Sequence, residues 1–209
     1  MTSLADALRE LPLVAILRGV RPEEVEAVAQ ALLEEGFRLI EVPLNSPEPL
    51  TSIRRLAARF NDRAVIGAGT VLSPTEAEAV AATGAKLVVA PNMDPAVIRA
   101  AKGKGLWCLP GVATPSEAFA ALAAGADALK AFPAEGLPPA VIRAWRAVLP
   151  KDVPILPVGG IEPTTMTAYR EAGAAGFGLG AALYKAGMSV AAVRSRAAAF
   201  VQAWRLYPG

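Results

Sequence analysis

The 209 residues carry 21 Lys and Arg against 19 Asp and Glu, a net charge of +2 that is too balanced for a nucleic-acid or membrane surface. The absence of histidine and the single cysteine, Cys108, exclude His-based triads, His metal sites, zinc clusters and an internal disulfide, so no metal or cofactor is expected. Catalysis then falls to Lys, Glu, Arg and backbone groups, and any anion must be met locally.

The chain starts Met-Thr-Ser-Leu-Ala-Asp, without the basic and apolar regions of a signal peptide, and its longest uncharged run, Ala172 to Tyr184, is glycine-rich and too short to cross a bilayer. We therefore expect a cytoplasmic protein folded as one domain over 1–209. A helix is predicted near Ser3–Glu10. Eight apolar runs follow, at Leu13–Leu17, Arg38–Val42, Ala64–Gly67, Lys86–Ala90, Leu106–Leu109, Ala126–Phe132, Pro154–Val158 and Ala175–Leu179. Their starts recur at the length of a strand plus a crossover helix, an internal repeat. Cys108, inside Leu-Trp-Cys-Leu, reads as a small core residue.

The joints repeat as well. Gly36, Gly84, Gly105, Gly125 and Gly173 stand where helices hand over to strands, as left-handed caps require. New helices are predicted from Ser46-Pro-Glu48, Ser73-Pro-Thr-Glu76, Asp94-Pro95, Thr114-Pro-Ser-Glu117 and Glu162-Pro163, two of them with the Glu of a capping box. A last helix is predicted near Ser189–Leu206. Eight strands alternating with helices indicate an α/β fold with a parallel sheet, and the count of eight favours a (β/α)8 TIM barrel with an extra N-terminal helix. An open doubly wound sheet is the alternative, but no G-x-G-x-x-G follows the first strand.

In a barrel the chemistry sits at the C-terminal ends of the strands. Arg18 ends the first, Glu41 lies near the end of the second, Thr70 follows the third, and Lys130 lies in the sixth, within Asp127-Ala-Leu-Lys-Ala-Phe-Pro133. A buried ammonium is costly unless its pKa falls or it finds partners, which makes Lys130 a candidate nucleophile. The bland alternative is a strand-end lysine whose head reaches water. Arg18 has a rim-charge reading, Glu41 a surface reading and Thr70 a turn reading, but their convergence on one mouth points to a site. Gly159-Gly160 follows the seventh strand and Gly178-Leu-Gly180 the eighth, before Ala181, where a short helix is expected. Such glycines let backbone N–H groups approach a phosphate; tight turns use them too.

Glu41-Val-Pro-Leu-Asn-Ser46, Gly67-Ala-Gly-Thr-Val71, Ala90-Pro-Asn92, Leu129-Lys-Ala-Phe-Pro133 and Val158-Gly-Gly-Ile161 together resemble the class I aldolases that cleave 2-keto-3-deoxy-6-phospho sugar acids. The resemblance runs from about Leu11 to Ala203. It implies a (β/α)8 barrel, a homotrimer, and cleavage of a sugar-acid phosphate to pyruvate and glyceraldehyde 3-phosphate, with 4-hydroxy-2-oxoglutarate as a further 2-keto acid substrate. It also implies Lys130 as the Schiff-base lysine, Glu41 as the proton-transferring acid and Thr70 at the pyruvate carboxylate. Pro91 and Phe132 would line the pyruvyl pocket, and Gly159, Gly160, Gly180 and Ala181 would hold the phosphate. Ile16-Leu-Arg-Gly19 and Pro43-Leu-Asn-Ser46 look like the phosphogalactonate branch, with Arg18 and Asn45 toward the substrate. That branch often has a serine at the position of Ala181, so here a hydroxyl donor is missing. A phosphate-binding isomerase or synthase without a covalent lysine, and a non-catalytic sensor, are the competing readings.

Overall fold

A computed structural model describes residues 3–206; Met1 and Thr2 of the expected leaderless start, and the last three residues of the expected 1–209 domain, lie outside that range. Helix α1, Leu4–Glu10, starts after Ser3, whose hydroxyl accepts from the Asp6 N–H at 3.1 Å. The strand segments that follow are β1 Leu13–Ile16, β2 Leu39–Pro43, β3 Val65–Gly69, β4 Leu87–Val89, β5 Trp107–Leu109, β6 Gly111–Val112, β7 Leu129–Ala131, β8 Ile155–Pro157 and β9 Phe177–Leu179. Between them run α2 Val25–Glu34, α3 Pro49–Phe60, α4 Pro74–Ala81, α5 Pro95–Gly103, α6 Pro115–Ala123, α7 Pro139–Arg146 and α8 Met166–Glu171, and α9 Val190–Leu206 ends the order. No helix among the described residues is long and apolar enough to cross a membrane.

The strands pair in parallel, in a six-stranded sheet β5-β4-β3-β2-β1-β9 and a three-stranded sheet β6-β7-β8. The expected fifth strand continues past Pro110, which has no N–H to donate; its carbonyl still accepts from the Lys130 N–H at 3.0 Å, and β6 carries on the path. On the other side Val158 bridges to Gly178, and the Ala175 N–H reaches the Ile155 carbonyl at 2.9 Å. The result is an α/β fold around a curled parallel sheet.

Strand alternation divides the core in two. Val14, Leu39, Val65, Leu87, Val89, Leu109, Ala128 and Leu156 form one cluster, joined by Leu4 and Ala7 of α1. Leu13, Ala15, Ile40, Ile66, Val88, Cys108, Leu129, Ala131 and Ile155 point the other way, into the layer shared with the helices. Cys108 is fully buried, and burial pushes its thiol up to about 12. The five predicted helix-end glycines all hold positive φ, from 71° at Gly105 to 102° at Gly36 and Gly125. Both capping boxes form, at Ser73/Glu76 and Thr114/Glu117.

Three boundaries differ from expectation. Helix α3 starts at Pro49 rather than at Ser46-Pro-Glu48, and the Ser46 hydroxyl accepts instead from the Gly19 N–H at 3.0 Å. Helix α8 starts at Met166, since Glu162 and Thr165 close a turn through the Thr165 hydroxyl. The sixth expected run is paired only over Leu129–Ala131. Ahead of it the Ala126 N–H returns to the Ala121 carbonyl, and the Asp127 carboxylate accepts from Lys102 and from the Cys108 N–H.

Candidate active site

Glu41 lies two residues after Leu39, and Lys130 two after Ala128, so alternation turns both charged side chains to the same inner face as those apolar neighbours, nearer the strands' C-terminal ends. Glu41 is 2% and Lys130 6% exposed, which removes the surface reading of the one and the water-reaching reading of the other. Glycines make the room. A Cβ at Gly69 would overlap the Glu41 carboxylate, and one at Gly111, beside Lys130 in the ladder, would collide with the Pro91 carbonyl.

Burial pushes the Glu41 carboxyl up to about 7, opposed by the charges of Lys130 and Arg18 and by the Gly69 N–H. Burial likewise holds the Lys130 ammonium below the usual lysine range, with the Glu41 charge working against that and the Arg18 charge with it. The Lys130 Nζ also lies 4.5 Å from the centre of the Phe132 ring, whose face favours a cation. Glu41 Oε2 is buried with no hydrogen-bond partner, an acceptor left unsatisfied by the protein. An acid near neutrality beside an amine that loses its proton readily is the chemistry of proton transfer to and from a nucleophile.

A cavity of about 400 Å³ opens over these groups, lined by Arg18, Thr70, Pro91, Lys130 and Phe132 and by Gly159, Gly160, Gly180 and Ala181. Those nine expected site residues therefore share one cavity. Asn45 is not in the wall, but its Oδ1 accepts from Arg18 Nη1 at 2.5 Å and so fixes the guanidinium. Ser46 ties the same two loops together through Gly19. Thr70 has φ 58°, a left-handed conformation that is strained for a β-branched residue and costs on the order of 1–3 kcal/mol. Such strain is kept where the surroundings enforce it, here at the mouth of the cavity.

The glycine end differs from expectation. No helix starts at Ala181: the N–H groups of Leu183 and Tyr184 both return to the Gly180 carbonyl at 2.9 Å, which closes a single turn. Gly159 and Gly160 hold φ 109° and 60°, and the Glu135 side chain lies against both. Glu135, like Glu162, lines the cavity; in the sequence Glu135 is unmarked, and Glu162 is marked only as an expected helix start. Sequence reasoning also passes over Gly69, Gly111 and Ser46 as supports of the site. For Gly69 a signal exists: Gly67 and Gly69 share the phase of Glu41 across the β2–β3 ladder, where small residues must face a large one.

Known proteins of similar sequence bear on what this cavity does. The family model of KDPG and KHG aldolase matches residues 4–199. The chain is 48% identical over 196 residues to the 2-dehydro-3-deoxy-6-phosphogalactonate aldolase of Escherichia coli (strain K12), covering 94% of this chain and 96% of that one. It is 51% identical over 195 residues to the probable 2-dehydro-3-deoxy-6-phosphogalactonate aldolase of Rhizobium meliloti (strain 1021), covering 93% and 92%. A solved structure described as native KDPGal superposes with a TM-score of 0.93 at 48% identity, over 94% of this chain and 96% of that chain.

Proposed function

This chain belongs to the KDPG and KHG aldolase family, and from that membership we propose that it cleaves 2-dehydro-3-deoxy-6-phosphogalactonate or its gluconate epimer to pyruvate and glyceraldehyde 3-phosphate through a Schiff base on Lys130. The observation that carries the reading is the inward pair: Glu41 raised to about 7 and Lys130 lowered, on one inner face. We read the curled sheet as a (β/α)8 barrel with α1 at its N-terminal end, and the protein as a cytoplasmic homotrimer. Splitting of 4-hydroxy-2-oxoglutarate to pyruvate and glyoxylate belongs to the same proposal.

The Lys130 amine, neutral in part because burial disfavours its charge, adds to the C2 ketone. Glu41 gives its proton to the departing hydroxyl, and the carbinolamine becomes an iminium. The iminium draws electrons from the C3–C4 bond. Glu41, now a carboxylate, takes the C4 hydroxyl proton as that bond breaks and the aldehyde leaves. The enamine regains a proton at C3, and water releases pyruvate and the free amine. Phe132 and Pro91 wall the pyruvyl end, while Thr70 and the Arg18–Asn45 pair hold polar groups along the chain of the substrate and keep C4 aligned.

Intact and peptide mass after treatment with pyruvate and borohydride tests this directly. A reduced pyruvyl adduct on Lys130, absent from Lys130→Ala, is expected. A folded wild-type protein without the adduct refutes the covalent mechanism.

A further inference from the structure

The loop that carries Arg18 is held from two sides. On one side the Asn45 and Ser46 side chains accept from the Arg18 guanidinium and the Gly19 N–H. On the other stands Tyr184, which is 2% exposed and whose hydroxyl donates to Glu24 Oε1 at 3.2 Å. The Arg21 N–H donates to the same oxygen at 3.1 Å. Glu24 occupies the capping position of α2, yet its side chain makes no capping bond to that helix, so the carboxylate serves the loop before it.

Tyr184 belongs to the turn that follows β9. Its N–H, with that of Leu183, returns to the Gly180 carbonyl, and Gly180, Ala181 and Ala182 line the cavity together with Arg18. The two segments also meet directly: a Cβ at Gly19, where φ is 82°, would lie 3.1 Å from Ala186 Cβ. Burial and the Glu24 charge hold the Tyr184 phenol above the usual tyrosine range, so it stays a donor. A buried hydroxyl that loses its acceptor costs more than the net worth of the bond, which makes this contact hard to give up.

We propose that Tyr184 is a positioning residue for the aldol cleavage: through Glu24 and the Arg21 N–H it fixes the Arg18 loop against the Gly180 turn, and so sets the gap between two walls of the cavity. This deepens the aldolase reading above and rests on it. Tyr184 is not itself in the cavity wall, so it acts through the loop. A substrate that reaches both walls is aligned only while the gap is held. Pyruvate, which reacts at Lys130 and Glu41, does not depend on it.

The test uses Tyr184→Phe, Glu24→Ala, Glu24→Gln and the double variant Tyr184→Phe/Glu24→Ala. Tyr184→Phe keeps the ring and removes the donor. In it and in Glu24→Ala, KM for the phosphorylated 2-keto-3-deoxy acid should rise about fivefold or more, with kcat and proton exchange at the pyruvate methyl within about twofold of wild type. Glu24→Gln still offers an acceptor to both donors and should keep KM within about twofold, and the double variant should lose no more than the worse single one. An unchanged KM in Tyr184→Phe, a loss in Glu24→Gln equal to that in Glu24→Ala, or losses that multiply in the double variant overturn the assignment. So does pyruvate exchange that falls in parallel with cleavage, since that marks a merely structural role. Wild-type adduct formation with pyruvate and borohydride checks the aldolase reading separately. If that adduct is missing, amide exchange still decides the tether: peptides covering Arg18–Glu24 should exchange about fivefold faster in Tyr184→Phe while those of α9 hold, and equal rates overturn it.

Discussion

One proton on Glu41 makes stability depend on pH. Its carboxyl titrates at about 7 in the folded protein against an ordinary 4.5, so between those values the folded state holds a proton that the unfolded chain has released. Stability contributed by the neutral form is fully present below 4.5 and is lost as pH rises through about 7. The gap corresponds to about 3 kcal/mol. Glu41→Gln should therefore match wild type in denaturant titrations at low pH and exceed it by up to about 3 kcal/mol at high pH. Lys130 contributes with the opposite sign, in both proteins. The same substitution should slow cleavage and proton exchange at the pyruvate methyl by about 10²–10⁴-fold. Lys130 and Glu41 are visible in the sequence because a charge in an apolar run stands out without a structure. Glu135 is not, because it occupies an ordinary turn.

Among the elements, local chemistry is legible wherever it is satisfied locally. The boxes at Ser73 and Thr114 each need only four consecutive residues, and both form with the hydroxyl accepting at 3.2 Å. Thr114→Ala should cost about 1 kcal/mol and leave kcat/KM unchanged, as read from urea unfolding and steady-state kinetics. The helix-end glycines are legible for the same reason. Ser46 misleads because its hydroxyl is used by Gly19, 27 residues away, rather than by the helix that follows it. Gly69 belongs to both levels: it is an ordinary strand residue that must lack a Cβ because β2 brings the Glu41 carboxylate against it. Gly69→Ala should lower kcat at least tenfold while the circular dichroism spectrum holds, and an unchanged kcat would show that Glu41 has room to move.

Across the whole molecule, the two sheets approach each other at the seam between β8 and β9, where Val158 bridges Gly178. A Cβ at Gly178 would lie 2.6 Å from Val158 Cγ2, and both residues line the cavity. Gly178→Ala should destabilise by about 1–3 kcal/mol through overpacking and reduce kcat/KM, measured by thermal melting and by turnover. Contacts of this kind mark the boundary of what a linear reading reaches. The alternation of strands and helices, the caps between them, and the inward phase of Glu41 and Lys130 are all settled in one dimension, because each follows from a period of two or from contacts a few residues long. The folded chain was needed to show that Ala181 begins a turn and not a helix, that Asn45 holds Arg18, and that Glu135 lies on Gly159 and Gly160. The last two join separate loops, and the first depends on how the chain leaves β9. Such distances are set by which strands stand side by side, a property that no local periodicity encodes.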